Sequence, residues 1–243
     1  MPFPFDVELS RKPFNLRKMK LFSAGVSMRA GLFAAAVLFT LCSFAATGSA
    51  AQESHKNEIA FLIGGAVNNG LSTLNSGGSG TIPVDTGAGF TFQANYARRI
   101  LGEDRTRIFL EFPFLSTPSK DVTTTATGVP RNYAYLSITP SIRAQFAPKR
   151  TLSPWVTLGG GYALFQSSTS LTDSAPNPGN RFVNRGALQF GGGVDVRTPL
   201  RINFPILLRA EVRDVYTGRP SLNVPLNGAG HNVFFSGGFV VRF

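Results

Sequence analysis

The sequence predicts an all-β protein, an eight-stranded antiparallel transmembrane β-barrel that follows a cleaved signal peptide. Three observations predict this class. An apolar run ending in small residues precedes position 52, apolar residues then recur at every second position in eight segments, and the connections between those segments alternate between long and short. The chain after position 51 is long enough for one barrel.

The N-terminal region has the plan of a secretory signal peptide, with a basic start, an apolar run and small residues. From Met28 the chain reads MRAGLFAAAVLFTLCSFAATGSAAQ, and cleavage after Ala50 or after Ala51 fits equally well. A membrane-anchor helix is the alternative, although the run is near the lower limit of about 17 residues. Residues 1–27 are a long basic extension or precede a true start at Met28. The predicted division is therefore 1–51 for the signal with its extension and 52–243 for the barrel.

The composition is unusual for a soluble enzyme. Charged residues make up only 15% of the chain, whereas 43% of residues are hydrophobic and there are 26 glycines and 22 phenylalanines. The formal net charge is +11, but the arginines are spread over many segments, which argues against a nucleic-acid partner. Cys42 lies in the signal segment, so residues 52–243 contain no thiol for a disulfide or a metal site.

Eight segments alternate apolar and polar residues, each near the roughly 9–11 residues with which a tilted strand crosses a bilayer. In chain order they are Glu58–Val67, Gly87–Arg99, Arg107–Phe114, Asn132–Phe146, Pro154–Gln166, Gly186–Arg197, Phe204–Tyr216 and His231–Phe243. Their apolar faces include, in the same order, Ile59 and Phe61, Phe90 and Phe92, Ile108 and Leu110, Leu136 and Ile138, Val156 and Leu158, Leu188 and Phe190, Ile206 and Leu208, and Phe235 and Phe239.

The connections predict an orientation. The long ones are Asn68–Thr86, Leu115–Arg131, Ser167–Arg185 and Thr217–Gly230, and the short ones are Ile100–Asp104, Ala147–Ser153 and Thr198–Asn203. Short periplasmic turns and longer external loops are typical of outer-membrane barrels, which places both termini in the periplasm. Because the long connections are rich in Gly, Ser, Thr, Asn and Pro, we expect solvated, mobile loops.

The polar face carries the charged residues of the strands. These are Arg107, Glu111, Arg143, Asp195, Arg197, Arg209, Glu211, Arg213 and Arg242. A soluble sandwich or lipocalin-like barrel would direct them to water, but an eight-stranded barrel has no room inside for the apolar residues of every strand. We therefore expect the charges to plug the lumen and the apolar face to meet lipid. Glu111 and Glu211 should each contact an arginine from a neighbouring or facing strand.

The end of the chain carries a resemblance to a known family. It closes on an aromatic residue preceded by apolar residues at alternate positions, namely Phe235, Phe239, Val241 and Phe243. This stretch resembles the C-terminal signal that the barrel-assembly machinery recognises. With the signal peptide and eight strands, the chain resembles the small OmpA/OmpX/opacity-type outer-membrane barrels. The resemblance implies a bacterial outer membrane, with lipid and lipopolysaccharide around the barrel.

The leading functional hypothesis is a non-enzymatic surface protein that supports the envelope or presents its loops to an extracellular partner. The alternative is a narrow anion-preferring pore lined by arginines, although eight strands leave little room for water. The third is a lipid-modifying enzyme. His231 is the only histidine of the predicted strands, and Ser236 falls on the opposite face, so this strand alone does not bring a base to a nucleophile.

Two further patterns favour structural roles. The triplets Gly159–Gly161 and Gly191–Gly193 lack the context of a phosphate-binding loop and indicate strand bending or close backbone approach. No cofactor or metal is predicted, because Asp85, Asp121 and Asp173 stand singly in different loops. Candidates for interfacial aromatic girdles are Tyr96, Tyr133, Tyr162, Tyr216 and Trp155, although Trp155 falls on the inward face.

Overall fold

The computed structural model describes residues 55–68, 70–74, 80–201, 205–220, 222–228 and 230–243. The predicted signal peptide, its extension and both cleavage sites lie outside these residues. Every regular element of the described chain is a β-strand. No described segment forms a helix with the length and apolar character needed to cross a membrane.

The described residues form twelve strands. They are β1 (Asn57–Asn68), β2 (Leu71–Leu74), β3 (Thr81–Thr86), β4 (Gly89–Leu101), β5 (Thr106–Thr124), β6 (Asn132–Ile138), β7 (Ser141–Phe146), β8 (Leu152–Ser167), β9 (Phe182–Arg201), β10 (Pro205–Tyr216), β11 (Leu226–Asn227) and β12 (His231–Arg242).

Eight antiparallel strands, with β6 and β7 counted as one, close into a ring as the sequence predicts. We call each of the eight a wall of the barrel. Strands β1, β4 and β5 are followed by β6 with β7, then by β8, β9, β10 and β12, and β12 pairs with β1 in a register that sets Phe61 opposite Phe239. The fourth predicted segment is divided at Thr139–Pro140, where proline supplies no backbone N–H. Both halves pair with β5 and β8, so they form one wall.

The two faces alternate as predicted along the walls. The outward Ile63 and Leu188 are 63% and 62% exposed, whereas the inward Arg143 and Asp195 are 0% exposed. One irregularity in β5 exchanges the faces, since the register shifts between Thr117 and Lys120. Inward side chains have odd numbers up to Thr117 and even numbers from Lys120, which is the effect of a β-bulge.

The external connections contain structure that the sequence analysis does not predict. Strands β2 and β3 form a hairpin that pairs with β11 on one side and with the end of β5 on the other. Leu71, Val84 and Leu226 of this small sheet are buried. The expectation that the long connections are simply solvated loops is therefore wrong, because their apolar side chains cover the external end of the lumen.

The interior has two layers. The external half is an apolar cluster, which comprises Ala66, Leu71, Val84, Leu115, Val122, Ala126, Val129, Tyr133, Tyr135, Ala163, Phe165, Ala187, Val215, Leu222, Leu226 and Phe234. The other half, toward the termini, holds the buried charges. The predicted charged plug thus fills only part of the lumen, because the inward positions near the external ends of the strands are apolar or aromatic.

The predicted aromatic girdle is partly wrong. Tyr133 and Trp155 point into the barrel and are buried, as the alternation of their strands dictates. Tyr162 and Tyr216 face outward and are 45% and 44% exposed. Tyr96 also faces outward, half-buried, and its hydroxyl donates to Asn57 Oδ1 at 3.1 Å.

Candidate functional site

The candidate site is a buried charge network in the periplasmic half of the lumen. Four arginines and four carboxylates from six walls form it, and each is between 0% and 5% exposed. The members are Glu58, Glu111, Arg143, Asp195, Arg209, Glu211, Arg213 and Arg242. Because charges of opposite sign are equal in number, the network is formally neutral, which offsets part of the cost of removing its members from water.

Asp195 on β9 is the most connected carboxylate. Arg209 binds it with two hydrogen bonds, Nε to Oδ1 at 2.7 Å and Nη2 to Oδ2 at 2.9 Å, a bidentate geometry that holds both side chains. Trp155 Nε1 donates to Oδ1 at 3.2 Å and Gln145 Nε2 to Oδ2 at 3.0 Å. The inward Trp155 is thus a hydrogen-bond donor to the network, which explains why it does not lie in an interfacial aromatic girdle.

Trp155 also organises the cations around it. The guanidinium carbons of Arg209 and Arg213 lie 5.1 and 5.3 Å from its ring centre, within the range of cation–π attraction. Gly193 is the paired residue on β9, and a Cβ atom there would lie 2.6 Å from Trp155 Cζ2. The glycine triplet therefore makes room for the indole, consistent with the predicted close approach.

Glu58 on β1 is a network member that the sequence analysis missed. It contacts Arg143, and Arg242 Nε donates to its Oε1 at 2.7 Å. Arg209 Nη2 lies 3.4 Å from its Oε2. The signal was available, because the outward positions of Ile59 and Phe61 place residue 58 on the inward face.

Glu111 and Glu211 both contact Arg213. Arg213 Nη2 donates to Glu111 Oε1 at 2.9 Å across the lumen, and its Nε donates to Glu211 Oε1 at 2.6 Å. The predicted partner of Glu211 was an arginine on another strand, whereas Arg213 lies two residues along the same strand. Residues two apart on a strand point to the same side of the sheet, so Arg213 reaches Glu211 without a partner on another strand.

Arg107 and Arg197 do not join the network. Arg107 is half-buried and donates to the Glu103 carbonyl at 3.0 Å, while Arg197 is exposed and donates to the Pro148 carbonyl at 3.2 Å. Both lie near the periplasmic ends of their strands, where the lumen meets solvent. Alternation shows on which face a residue lies but not how far along the barrel axis it sits. Arg107 and Arg197 therefore could not be distinguished from the network members by sequence.

The network and the apolar cluster together close the lumen. Glu111, Arg143, Asp195 and Arg213 are 0% exposed, so the charges that would line a pore have no solvent-accessible surface. Above them, Tyr135 packs against Phe165 and Phe234 with ring centres 5.2 and 5.6 Å apart.

The terminal strand presents its predicted assembly residues to the outside. Phe235 and Phe239 are 52% and 46% exposed, and Val241 and Phe243 are half-buried. Backbone hydrogen bonds of 2.9 and 3.0 Å join Phe243 to Asn57 and complete the closure of the ring. Recognition of this strand by the assembly machinery stays a prediction.

His231 has a partner that the sequence analysis did not identify. Its Nδ1 lies 2.7 Å from Asp214 Oδ2, and its ring centre is 5.0 Å from that of Tyr216. The pair lies on the outward face near the external end of β10 and β12, whereas Ser236 points inward. Within the described part of the chain, no three His, Cys, Asp or Glu side chains are placed to hold a metal ion.

Comparisons with known proteins give matches to solved structures only. No family model matches, and no curated protein matches by sequence. Neisserial surface protein A is 17% identical, with 78% of this chain and 98% of that chain covered and a TM-score of 0.46. The outer membrane protein OprG from Pseudomonas aeruginosa is 14% identical, with the same coverage and a TM-score of 0.49. The outer membrane enzyme PagL is 11% identical, covering 77% and 99%, with a TM-score of 0.36.

The distribution of side chains places this ring in a bilayer. Charged residues are buried inside, large apolar residues such as Phe90 and Leu158 are 60% and 68% exposed outside, and closure leaves no strand edge in lipid. The fold is that of a small outer-membrane β-barrel. The resemblance to OmpA/OmpX-type barrels is thus one of fold, and the bacterial outer membrane is where closed barrels with a lipid-facing apolar band are found. Such barrels serve several functions, so the fold leaves the activity open.

Proposed function

We propose that this barrel is a non-enzymatic surface protein that supports the envelope and presents its external loops to an extracellular partner. The observation that carries the proposal is the closed lumen, in which the central charges are buried beneath an apolar cluster. A barrel without a water path offers its outer surfaces for function, and the external end is the part that faces the surroundings.

The external loops form one connected surface. Asn223 Nδ2 donates to the Gly128 carbonyl at 3.1 Å and to Asn177 Oδ1 at 2.8 Å, which ties three connections together. Thr172 N donates to the Val129 carbonyl at 2.9 Å. The remaining connection joins through the pairing of β2 with β11. A preorganised surface loses less entropy on binding than free loops would, which suits partner recognition.

Loop replacement tests the proposal. In cells that express the full chain, Thr169–Asn180 is replaced by a short Gly-Ser linker, and retention on a serum-coated surface and cell–cell aggregation are measured. A Lys149→Gln variant in a periplasmic turn is the control. We expect the linker variant to lose retention or aggregation while its amount in the outer membrane is unchanged.

A second readout separates the two parts of the proposal. Survival of a deletion strain in detergent with a metal chelator reports envelope support, and the linker variant should restore it because the barrel is intact. If the wild-type chain confers neither binding nor resistance, the proposed function is wrong.

The enzyme alternative rests on His231 and Asp214, which resemble the base and orienting carboxylate of a catalytic triad. The residues paired with Asp214 are Phe190 and Val233, and the residue paired with His231 is Tyr216, so none of these paired positions supplies a serine or threonine hydroxyl. We expect lipid A from expressing cells to have an unchanged mass. A mass change that disappears in the His231→Ala variant would establish an enzyme instead.

A further inference from the structure

The positive charge of the barrel is concentrated at its periplasmic end. The network is neutral, and the external end is nearly balanced, with Lys120, Arg131, Arg181, Arg185 and Arg219 against Asp85, Asp121, Asp173 and Asp214. The periplasmic end carries Lys56, Arg98, Arg99, Arg105, Arg107, Lys149, Arg150 and Arg197. Its acidic groups among the described residues are Glu103 and Asp104.

The two described acidic groups already have partners. Glu103 lies 3.8 Å from Arg99, and Asp104 accepts from Lys149 at 2.6 Å. The hydrogen bond from Lys149 lowers the pKa of Asp104 below its ordinary value, so this carboxylate stays ionised at neutral pH. Both side chains are thus already engaged, and Asp104 is also within electrostatic range of Arg107.

Three exposed arginines at this end have no salt bridge to a carboxylate within the described residues. They are Arg98, Arg105 and Arg150, and we call them the basic rim. Arg107 and Arg197 are not counted, because they face the mouth of the lumen, and Glu58 and Asp104 lie within electrostatic range of Arg107. Exposed cations without a paired carboxylate attract anions supplied from outside the chain.

The basic rim lies on neighbouring walls. Arg98 and Arg105 flank the turn between β4 and β5, and Arg150 lies in the turn between β7 and β8. Because β5 pairs with β7, the two turns are adjacent and form one basic sector at the periplasmic edge of the barrel.

The rim also lies at the level where the apolar outer face ends. On β4 the outward Tyr96, whose hydroxyl is hydrogen-bonded to Asn57, is followed two residues later by the outward, exposed Arg98. Leu101 and Leu152, beside the turns that carry Arg105 and Arg150, are 65% and 54% exposed. Tyrosine at the interface with arginine beyond it is the order in which side chains meet lipid tails and then phosphates.

We propose that the basic rim binds the phosphates of anionic phospholipids in the periplasmic leaflet. Basic clusters beside membrane-spanning segments attract such head groups through charge and hydrogen bonds. The rim thereby recruits anionic phospholipid to this side of the barrel, independently of what the external loops bind.

The test uses protein from outer membranes of cells expressing the full chain, reconstituted in phosphatidylcholine bilayers with a minor fraction of phosphatidylglycerol. Association of spin-labelled phosphatidylglycerol is compared with that of spin-labelled phosphatidylcholine. We expect a preference of at least about threefold for the anionic lipid, reduced by salt. The double variant R98Q/R150Q should lose most of it.

The matched control R131Q/R185Q removes the same charge from two exposed arginines at the external end and should keep the preference. Equal loss in both variants, or no preference in the wild type, would overturn the proposal. Poly-glutamate is the second probe, added to barrels in pure phosphatidylcholine. Rim-dependent binding of poly-glutamate without any lipid preference would assign the rim to an acidic soluble partner and likewise overturn it.

Discussion

At the scale of single residues, Arg209 illustrates how the buried network holds the barrel. It binds Asp195 through two hydrogen bonds and lies near Glu58 and Glu111, with 3% of its surface exposed. Its removal would leave buried carboxylates with too few cations, and such an uncompensated charge costs much more than the intact pair contributes.

We expect Arg209→Met to lower the free energy of unfolding by about 3–5 kcal/mol. Arg197→Met, which removes an exposed arginine outside the network, should change it by less than about 0.5 kcal/mol. Urea titration of the barrel in detergent micelles, followed by tryptophan fluorescence, measures both. Equal losses in the two variants would show that a buried network arginine contributes no more to the free energy of unfolding than an exposed arginine does.

Alternation predicted on which face a residue lies, but it gave neither its depth nor its partner. The inward position of Trp155 follows from its strand, yet its bond to Asp195 requires the register between β8 and β9. Arg107 and Arg197 have the same parity as network members but lie too close to the strand ends. Partners across the lumen, such as Glu58 and Arg143, depend on closure of the ring, which no local pattern encodes.

At the scale of elements, glycines in the strands leave space for large side chains inside the barrel. Gly193 faces inward beneath Trp155, and a Cβ atom there would lie 2.4 Å from the Ala210 carbonyl oxygen and 2.6 Å from the indole. Neither the backbone nor the packed ring can yield easily. Gly237 faces outward, and its nearest neighbour would be 3.7 Å away.

We expect Gly193→Ala to cost about 1–3 kcal/mol through overpacking and to shift the Trp155 emission spectrum. Gly237→Ala, which meets only ordinary contacts, is the control and should be nearly neutral. The same urea titration with fluorescence detection checks both. If Gly193→Ala leaves stability and emission unchanged, the indole does not pack as the structure describes.

Element boundaries were predicted where alternation is long and regular. Strands β1, β10 and β12 begin and end within about one residue of the predicted segments, a typical uncertainty for element ends. Strands β2, β3 and β11 were missed because they have 4, 6 and 2 residues, too few to establish a period. The bulge in β5 was also missed because it lies beyond the predicted segment Arg107–Phe114, although Pro118 within it is a residue typical of bulges.

At the scale of the whole molecule, side chains fill the lumen of the barrel, and its two ends differ in charge. The neutral network and the apolar cluster fill the lumen, the external loops are joined, and the uncompensated arginines gather toward the periplasm. The sequence predicted the closed ring and its lipid face because both follow from alternation. It did not predict the two-layer interior, which depends on the height of each residue in the assembled ring.

Conductance tests the central claim, a lumen without a water path, most directly. The barrel is inserted into a planar lipid bilayer, with a change of gel mobility on boiling as proof of folding, and current is recorded under applied voltage. We expect insertion without discrete current steps, because the central charges are inaccessible to water. Reproducible anion-selective steps would contradict the closed lumen and make the arginines the lining of a pore.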